Sequence, residues 1–200
     1  LAFIDSDCIP EPGWLAAGLR ALDTADLAGG AVTISVPDPA RPTPAEAFEV
    51  VFAFDNRSYV EKKGFSVTAN LFTTRAVFDA VGGFRTYVPE DLDWCRRARL
   101  QGFRIAYASE AIVAHPARRS WAELRGKWRR LTNEAMALNR ETGQGTAQAA
   151  LAAAAVALSP LAHAATVLRT EKLGLAAKLG ALGILIRLRL LRAWWLLAKL

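Results

Sequence analysis

Leu1-Ala2-Phe3-Ile4-Asp5-Ser6-Asp7 sets four apolar residues directly before two carboxylates spaced one residue apart. An apolar run of strand-forming type that ends in Asp-x-Asp reads as a buried strand delivering acids to the carboxyl edge of a sheet, where open α/β folds bind ligands. Two hard oxygen donors, with room for water and phosphate oxygens, suit Mg²⁺ or Mn²⁺ better than zinc, which prefers nitrogen and sulfur. Alone, the same motif also fits a solvated turn or a helix cap, so its meaning depends on what the rest of the chain brings to it.

The 200 residues suffice for one domain with a real core and a modest appendage. With 52% hydrophobic and 22% charged residues the composition is globular, which excludes wholesale disorder. The formal charge is +6 and the pI about 9.7, the excess lying between Arg118 and Arg130 and again from Lys172 onward. Such a surface suits nucleic acid, anionic lipid or a phosphorylated substrate, and composition does not choose among them. Two cysteines, Cys8 and Cys95, are too few for a disulfide framework or a thiolate zinc site and fit a reducing cytosol. The chain has no initiator methionine and opens inside a core-like strand, so the expectation is a piece of a longer protein.

Downstream, Cys8-Ile9-Pro10-Glu11-Pro12-Gly13 is a loop before a helical pattern through Leu22. Gly29 to Val36 reads as a strand, Pro37 to Pro44 as a proline-rich connector, and Ala45 to Phe54 as a helix. The polar stretch Asp55 to Gly64 is expected to form a mobile loop over the site. Phe65 to Thr73 is strand-like, and a helix over Arg75 to Val81 stops at Gly82-Gly83. Pro89 then precedes a helix over Glu90 to Gln101, with Glu90, Asp91 and Asp93 in its first turn, where acids complement the helix dipole. Arg104 to Tyr107 and Ala111 to Ala114 read as two short strands, the second delivering His115.

The landmarks Asp-x-Asp with "CIPEPGWL", then "TANLFTTRAVFDAVGGF", then "EDLDWCRRARLQGFRIAYASEAIVAH" closely resemble the C-terminal half of the catalytic domain of family 2 glycosyltransferases, over roughly Leu1 to Arg130. The resemblance implies an α/β fold: a partial GT-A mixed sheet flanked by helices over residues 1–145, followed by C-terminal helices over 146–200. It further implies inverting transfer of a sugar from a nucleotide-sugar donor to an acceptor hydroxyl, assisted by a divalent cation, with no nucleic-acid partner. Carried over by position, Asp7 looks like the metal ligand bridging the donor diphosphate, and Asp5 like its partner on metal or ribose. Asp91 looks like the general base, with Glu90 orienting it or touching the acceptor. His115 is a third metal ligand or diphosphate contact by the same resemblance, and Arg118 and Arg119 after it are candidates to hold phosphate. Asn70 resembles a position lining the acceptor pocket.

The chemistry wants these groups independently. Inversion has a hydroxyl attack the anomeric carbon opposite the leaving diphosphate, so a carboxylate must stand across the sugar from the metal. Blander readings stand beside each role: first-turn helix acids for Glu90, Asp91 and Asp93, a structural strand-end histidine for His115, and a solvated basic face for Arg118 and Arg119. Trp94 either stacks on an acceptor sugar or packs in the core. Two departures from the family pattern matter. The strands that bind the nucleotide base are expected upstream of Leu1, and "RRSWAELRGKW" does not supply the Gln-x-x-Arg-Trp motif of polymer synthases. A haloacid dehalogenase-like phosphatase, and a non-catalytic glycosyltransferase fragment that binds membrane or a partner, are the alternatives.

Ala149 to Leu168 holds no charge at neutral histidine and is long enough to span a bilayer, although its alanine content, Ser159, Pro160 and His163 leave insertion marginal; a soluble packed helix fits equally. From Leu173 to Leu200, Lys178, Arg189, Arg192 and Lys199 fall within about 80° of one another at helical periodicity. That pattern predicts an interfacial helix with its charges toward anionic headgroups, or a helix docked on a partner. Membrane association on the cytoplasmic side and a sugar or lipid-linked acceptor follow as expectations.

Overall fold

The computed structural model describes residues 1–141 and 145–198. They form two compact units: Leu1–Ser35 with Phe54–Pro116, and Val36–Ala53 with Ala117–Leu200. These units divide the chain differently from the 145/146 division that the resemblance implies.

The first unit is built on five strands: β1 (Ala2–Phe3), β2 (Ile9–Pro10), β3 (Leu27–Ser35), β4 (Leu71–Thr73) and β5 (Ile105–Pro116). Their order is β1-β4-β3-β5-β2, with β3 and β5 parallel and the other pairs antiparallel. β1 and β2 thus stand at opposite edges, about 19 Å apart if the sheet were flat at about 4.8 Å per strand. The six Cα-to-Cα steps from Phe3 to Ile9 could span about 20–22 Å fully extended, but a turn with the Cys8 N–H donating to the Asp5 carbonyl brings the link well below the flat-sheet separation. The sheet must curl, and Asp5-Ser6-Asp7 lies where its two edges approach. Pro10 belongs to an edge strand, where a missing N–H costs no ladder bond.

Alternation along the strands feeds two cores. Leu27 and Leu71 face the helices α4 (Arg75–Val81) and α5 (Glu90–Leu100) in one cluster, while Ala28 and Phe72 face α1 (Trp14–Ala21) in another. Gly18 of α1 permits the closest approach, since a Cβ there would collide with the Phe72 ring.

The expected strands at 104–107 and 111–114 are one strand with an irregularity. Gly30 pairs with Ala108 but Ala31 pairs with Ile112, so Ser109, Glu110 and Ala111 are extra on β5. The Asn70 amide fills the gap, donating to the carbonyls of Ala31 and Ala111 at 2.8 Å each and accepting from Trp14 Nε1 at 2.9 Å. Residues 55–64, expected as a mobile loop, are helical: α3 (Asn56–Ser58) runs into a single π-helical turn, Tyr59–Lys63, closed by Gly64 at φ 72°. Asn56 anchors it, because its buried amide bonds the Gly30 carbonyl, Ser66 Oγ and Val67 N–H. Asp55 caps α3 and Val60 is buried, which is too much internal structure for a free loop.

The second unit is helical: α2 (Pro44–Phe52), α6 (Trp121–Glu141), α7 (Thr146–Arg169) and α8 (Leu175–Leu197). A capping box between Thr43 and Glu46, with Pro44 in the first turn, starts α2. Phe48, Leu124, Val167, Leu185 and Leu188 form its core. α7 is long and apolar enough to cross a membrane.

On α8 the expected orientation is reversed. Arg189 and Arg192 turn inward over the Trp128 ring, at 5.7 and 4.4 Å from its centroid, and Lys178 bonds the Leu168 carbonyl. Lys199, the fourth member of that stripe, lies outside the described residues. Leu175, Leu179, Ile186, Leu190, Trp194 and Leu197 are exposed instead, and at helical periodicity they share a face about 100° wide.

Candidate functional site

The site is assembled by strand register. β5 runs to Pro116, and Ile9 of β2 pairs with Ala114 beside His115, so the turn immediately before β2 places its acids against that histidine. His115 Nε2 stands 3.8 Å from Asp5 Oδ2 and 4.0 Å from Asp7 Oδ1. With the Cys8 sulfur, the four potential ligand atoms lie within 4.8 Å of one another. His115 is only 4% exposed, whereas the acids reach solvent.

The histidine is oriented for ligation. Its Nδ1 is 2.8 Å from the Pro116 carbonyl, an acceptor only, so Nδ1 carries the proton and Nε2 presents its lone pair toward the acids. The Phe54 ring packs against the imidazole at 5.0 Å between centroids. Cys8 plays a different part: burial first, and then the charges of Asp5 and Asp7, push its thiol up to about 11. The hard donors of the group are the two carboxylates and the imidazole, with the Cys8 sulfur beside them. Two donors each about 2.1 Å from a common ion stand up to about 4.2 Å apart, which accommodates both carboxylate-to-imidazole separations. The group fits a divalent cation.

Asp91 sits half-buried at the start of α5, its Oδ1 accepting from the Leu92 N–H at 2.7 Å, with Glu90 half-buried beside it. Its field contributes to raising the Tyr59 phenol and the Cys95 thiol, though burial is the larger cause for both. Asp93 is a brace. It is 5% exposed and paired with Arg85 at 3.1 Å and Arg97 at 3.0 Å, while Arg97 also donates to the carbonyls of Val81 and Gly83. Trp94 is fully buried and donates Nε1–H to the Gly82 carbonyl at 2.8 Å. These bonds fasten α5 to the double-glycine turn. Trp94 is therefore a core residue, and its stacking role falls away. Asn70, 0% exposed with its amide engaged by Trp14, Ala31 and Ala111, is the clip across the β5 irregularity rather than a pocket wall.

Arg118 is likewise committed, while Arg119, its side chain 69% exposed, touches a carboxylate at one edge only. Arg118 pairs with the buried Glu49 at 3.2 Å, which also takes Lys127 at 2.8 Å, and Arg119 lies 3.3 Å from the buried Glu46. Both arginines belong to the helical unit. Sequence reasoning passed over Glu46 and Glu49 because they sit in an otherwise apolar helix. It passed over the Asp93–Arg97 brace although the i,i+4 spacing announces it. Tyr87 also carried no sequence signal: it is 89% exposed at φ 65°, a left-handed conformation unusual for a bulky residue, three residues before Glu90.

Residues 1–199 match the family described as glycosyl transferase family group 2. This chain is a member of that family. Among curated proteins it is similar to the glycosyltransferase AglE of Haloferax volcanii, 32% identical over 122 residues that make up 59% of this chain and 40% of that protein. The chain thus spans well under two thirds of this relative's length. No solved structure matches it. Its curled mixed sheet and following helices are those of a partial GT-A α/β fold, as the family match leads one to expect.

Proposed function

We propose that this glycosyltransferase inverts the anomeric centre, moving a sugar from a nucleotide-sugar donor to an acceptor hydroxyl with the help of Mg²⁺ or Mn²⁺. The observation that carries the reading is the meeting of Asp5, Asp7 and His115, from two distant segments of chain, within ligand distance of one another. Asp7, the more exposed acid, and His115 Nε2 would hold the cation on the donor side, and Asp5 would join them or meet the ribose. A bound divalent cation supplies neutralisation of the charge that builds on the leaving diphosphate, worth several kcal/mol. Asp91 accepts the proton of the acceptor hydroxyl while the new C–O bond forms and the bond to the diphosphate breaks, and Glu90 orients it. Arg118 has no part in this reading, since Glu49 already holds it, and Arg119 belongs with it to the helical unit.

The apolar α7 supports membrane association, and we place the enzyme on the cytoplasmic face with a sugar or lipid-linked acceptor as part of the same proposal. Calorimetry tests the metal assignment directly. Asp7→Ala in the intact protein is expected to abolish the Mn²⁺-dependent part of nucleotide-sugar binding, and an undiminished Mn²⁺ response would sink the ligand set.

A further inference from the structure

The seam between α6 and α8 concentrates cations that the described residues do not neutralise. Trp121 and Trp128, two turns apart on α6, share one face of it. Arg187 lies over the Trp121 ring at 4.1 Å, and Arg189 and Arg192 lie over Trp128. Arg125 joins Arg187 at a groove of about 380 Å³ whose remaining walls are Trp121, Leu190 and Leu191, with no carboxylate among them. No ion pair reaches Arg125, Arg187, Arg189 or Arg192 from the described residues. Elsewhere in the same unit the largely buried Lys127 and the half-buried Arg118 are both paired with Glu49, whereas Arg125 and Arg187 stand exposed at the groove. Two buried donors in the seam, Arg189 Nε and Trp128 Nε1, also lack an acceptor, and an unmet buried donor costs about 1–3 kcal/mol.

Stacking on tryptophan holds a guanidinium flat and leaves its edge N–H groups for a forked acceptor. Among common anions, phosphate oxygens meet that fork bidentately. The groove's apolar wall favours a lipid over a soluble phosphate: Leu190 belongs both to the groove and to the exposed stripe of Ile186, Leu190, Trp194 and Leu197. A ligand with a phosphate at one end and hydrocarbon at the other matches both halves at once.

We propose that the α6–α8 seam binds the phosphate headgroup of an anionic phospholipid, with Arg125 and Arg187 taking its oxygens and Leu190 leading its acyl chain onto the exposed face of α8. The proposal rests on the membrane-associated reading above and adds headgroup selectivity to it. Flotation of the intact protein with vesicles separates the two. Vesicles of phosphatidylcholine alone report membrane association, and vesicles that also hold phosphatidylglycerol report the seam. The expected result is tighter binding to the anionic vesicles, with the preference falling about fivefold for each of Arg125→Gln and Arg187→Gln while binding to neutral vesicles and the melting temperature are unchanged. Arg187→Lys keeps the charge but loses the fork, and is expected to lose most of the preference as well. Equal binding of the protein to both vesicles, or full preference retained in Arg187→Lys, overturns the headgroup site and leaves the membrane reading standing. Displacement from anionic vesicles by millimolar inorganic phosphate overturns the lipid assignment in favour of a soluble anion. Failure to bind either vesicle overturns both readings.

Discussion

The sheet unit and the helical unit handle charge in opposite ways. At the end of β5 the chain gathers Asp5 and Asp7 against His115, and the spacing is set by the backbone, because strand pairing of Ile9 with Ala114 fixes where the Asp-x-Asp turn must lie. Along α6 and α8 the chain gathers Arg125, Arg187, Arg189 and Arg192, and their positions are set by side-chain stacking on Trp121 and Trp128. Backbone ladders hold donor atoms to fractions of an ångström, which suits coordination and chemistry. Long side chains on aromatic rings hold charge more loosely, which suits recognition of a mobile anion. The two regions show that charge left over from folding is informative, and that what positions it indicates the task it fits.

The largest effect expected is on the catalytic side. Asp91→Asn should lower the transfer rate by about 10²–10⁴-fold, the usual range for a general base, with nucleotide-sugar binding by calorimetry little changed. Loss of donor affinity instead would move Asp91 to the donor side and weaken the contrast between the units. Next, Glu49→Gln should destabilise the helical unit by about 3 kcal/mol, because it leaves the largely buried Lys127 and the half-buried Arg118 without their carboxylate. Thermal melting of the variant checks this. If its stability is unchanged, paired and unpaired cations in this unit do not differ in kind.

A smaller loss is expected from Gly30→Ala. Its methyl group would meet the Ala111 carbonyl and the Asn70 amide, at a cost of about 1–3 kcal/mol. Because this lies on the strand pair that carries His115, the variant should also weaken Mn²⁺ binding, whereas Glu49→Gln should not. The smallest effect concerns Cys95. Burial pushes its thiol up to about 12 from an ordinary value of 9.0, so the folded protein holds that proton where the unfolded chain releases it. The stabilisation is complete below about pH 9 and is lost as pH rises toward about 12. Melting temperature against alkaline pH should therefore fall less steeply in Cys95→Ala than in the parent protein.

The candidate site could be nominated from contiguous motifs, and the structure brings Asp5, Asp7 and His115 together. Asp5-Ser6-Asp7 ends an apolar run, Glu90-Asp91 follows a proline, and His115 closes a strand, each readable without knowing its neighbours. The double glycine after Val81 ended its helix where expected, with Gly82 at φ 82°. What misled was identity without context. Asn70 sits in a motif that resembles a pocket, but its amide is spent on an irregularity of β5 that no local pattern encodes. Arg118 follows His115 in sequence, yet Glu49, about seventy residues earlier, takes its charge. The polar stretch 55–64 reads as a loop until the buried Asn56 is seen to hold it to Gly30 and Ser66. On α8, periodicity grouped Lys178, Arg189 and Arg192 correctly on one side of the helix, and the direction that side faces depended on the tryptophans of another helix.

By itself, then, the sequence determined the family and the candidate residues for its chemistry, because apolar periodicity and short motifs act over a few residues and survive out of context. Only the tertiary structure decided which charges are neutralised inside the chain and which remain for a ligand. That outcome depends on partners brought together across seventy or more residues, and burial, not spacing, sets what an unpaired charge costs.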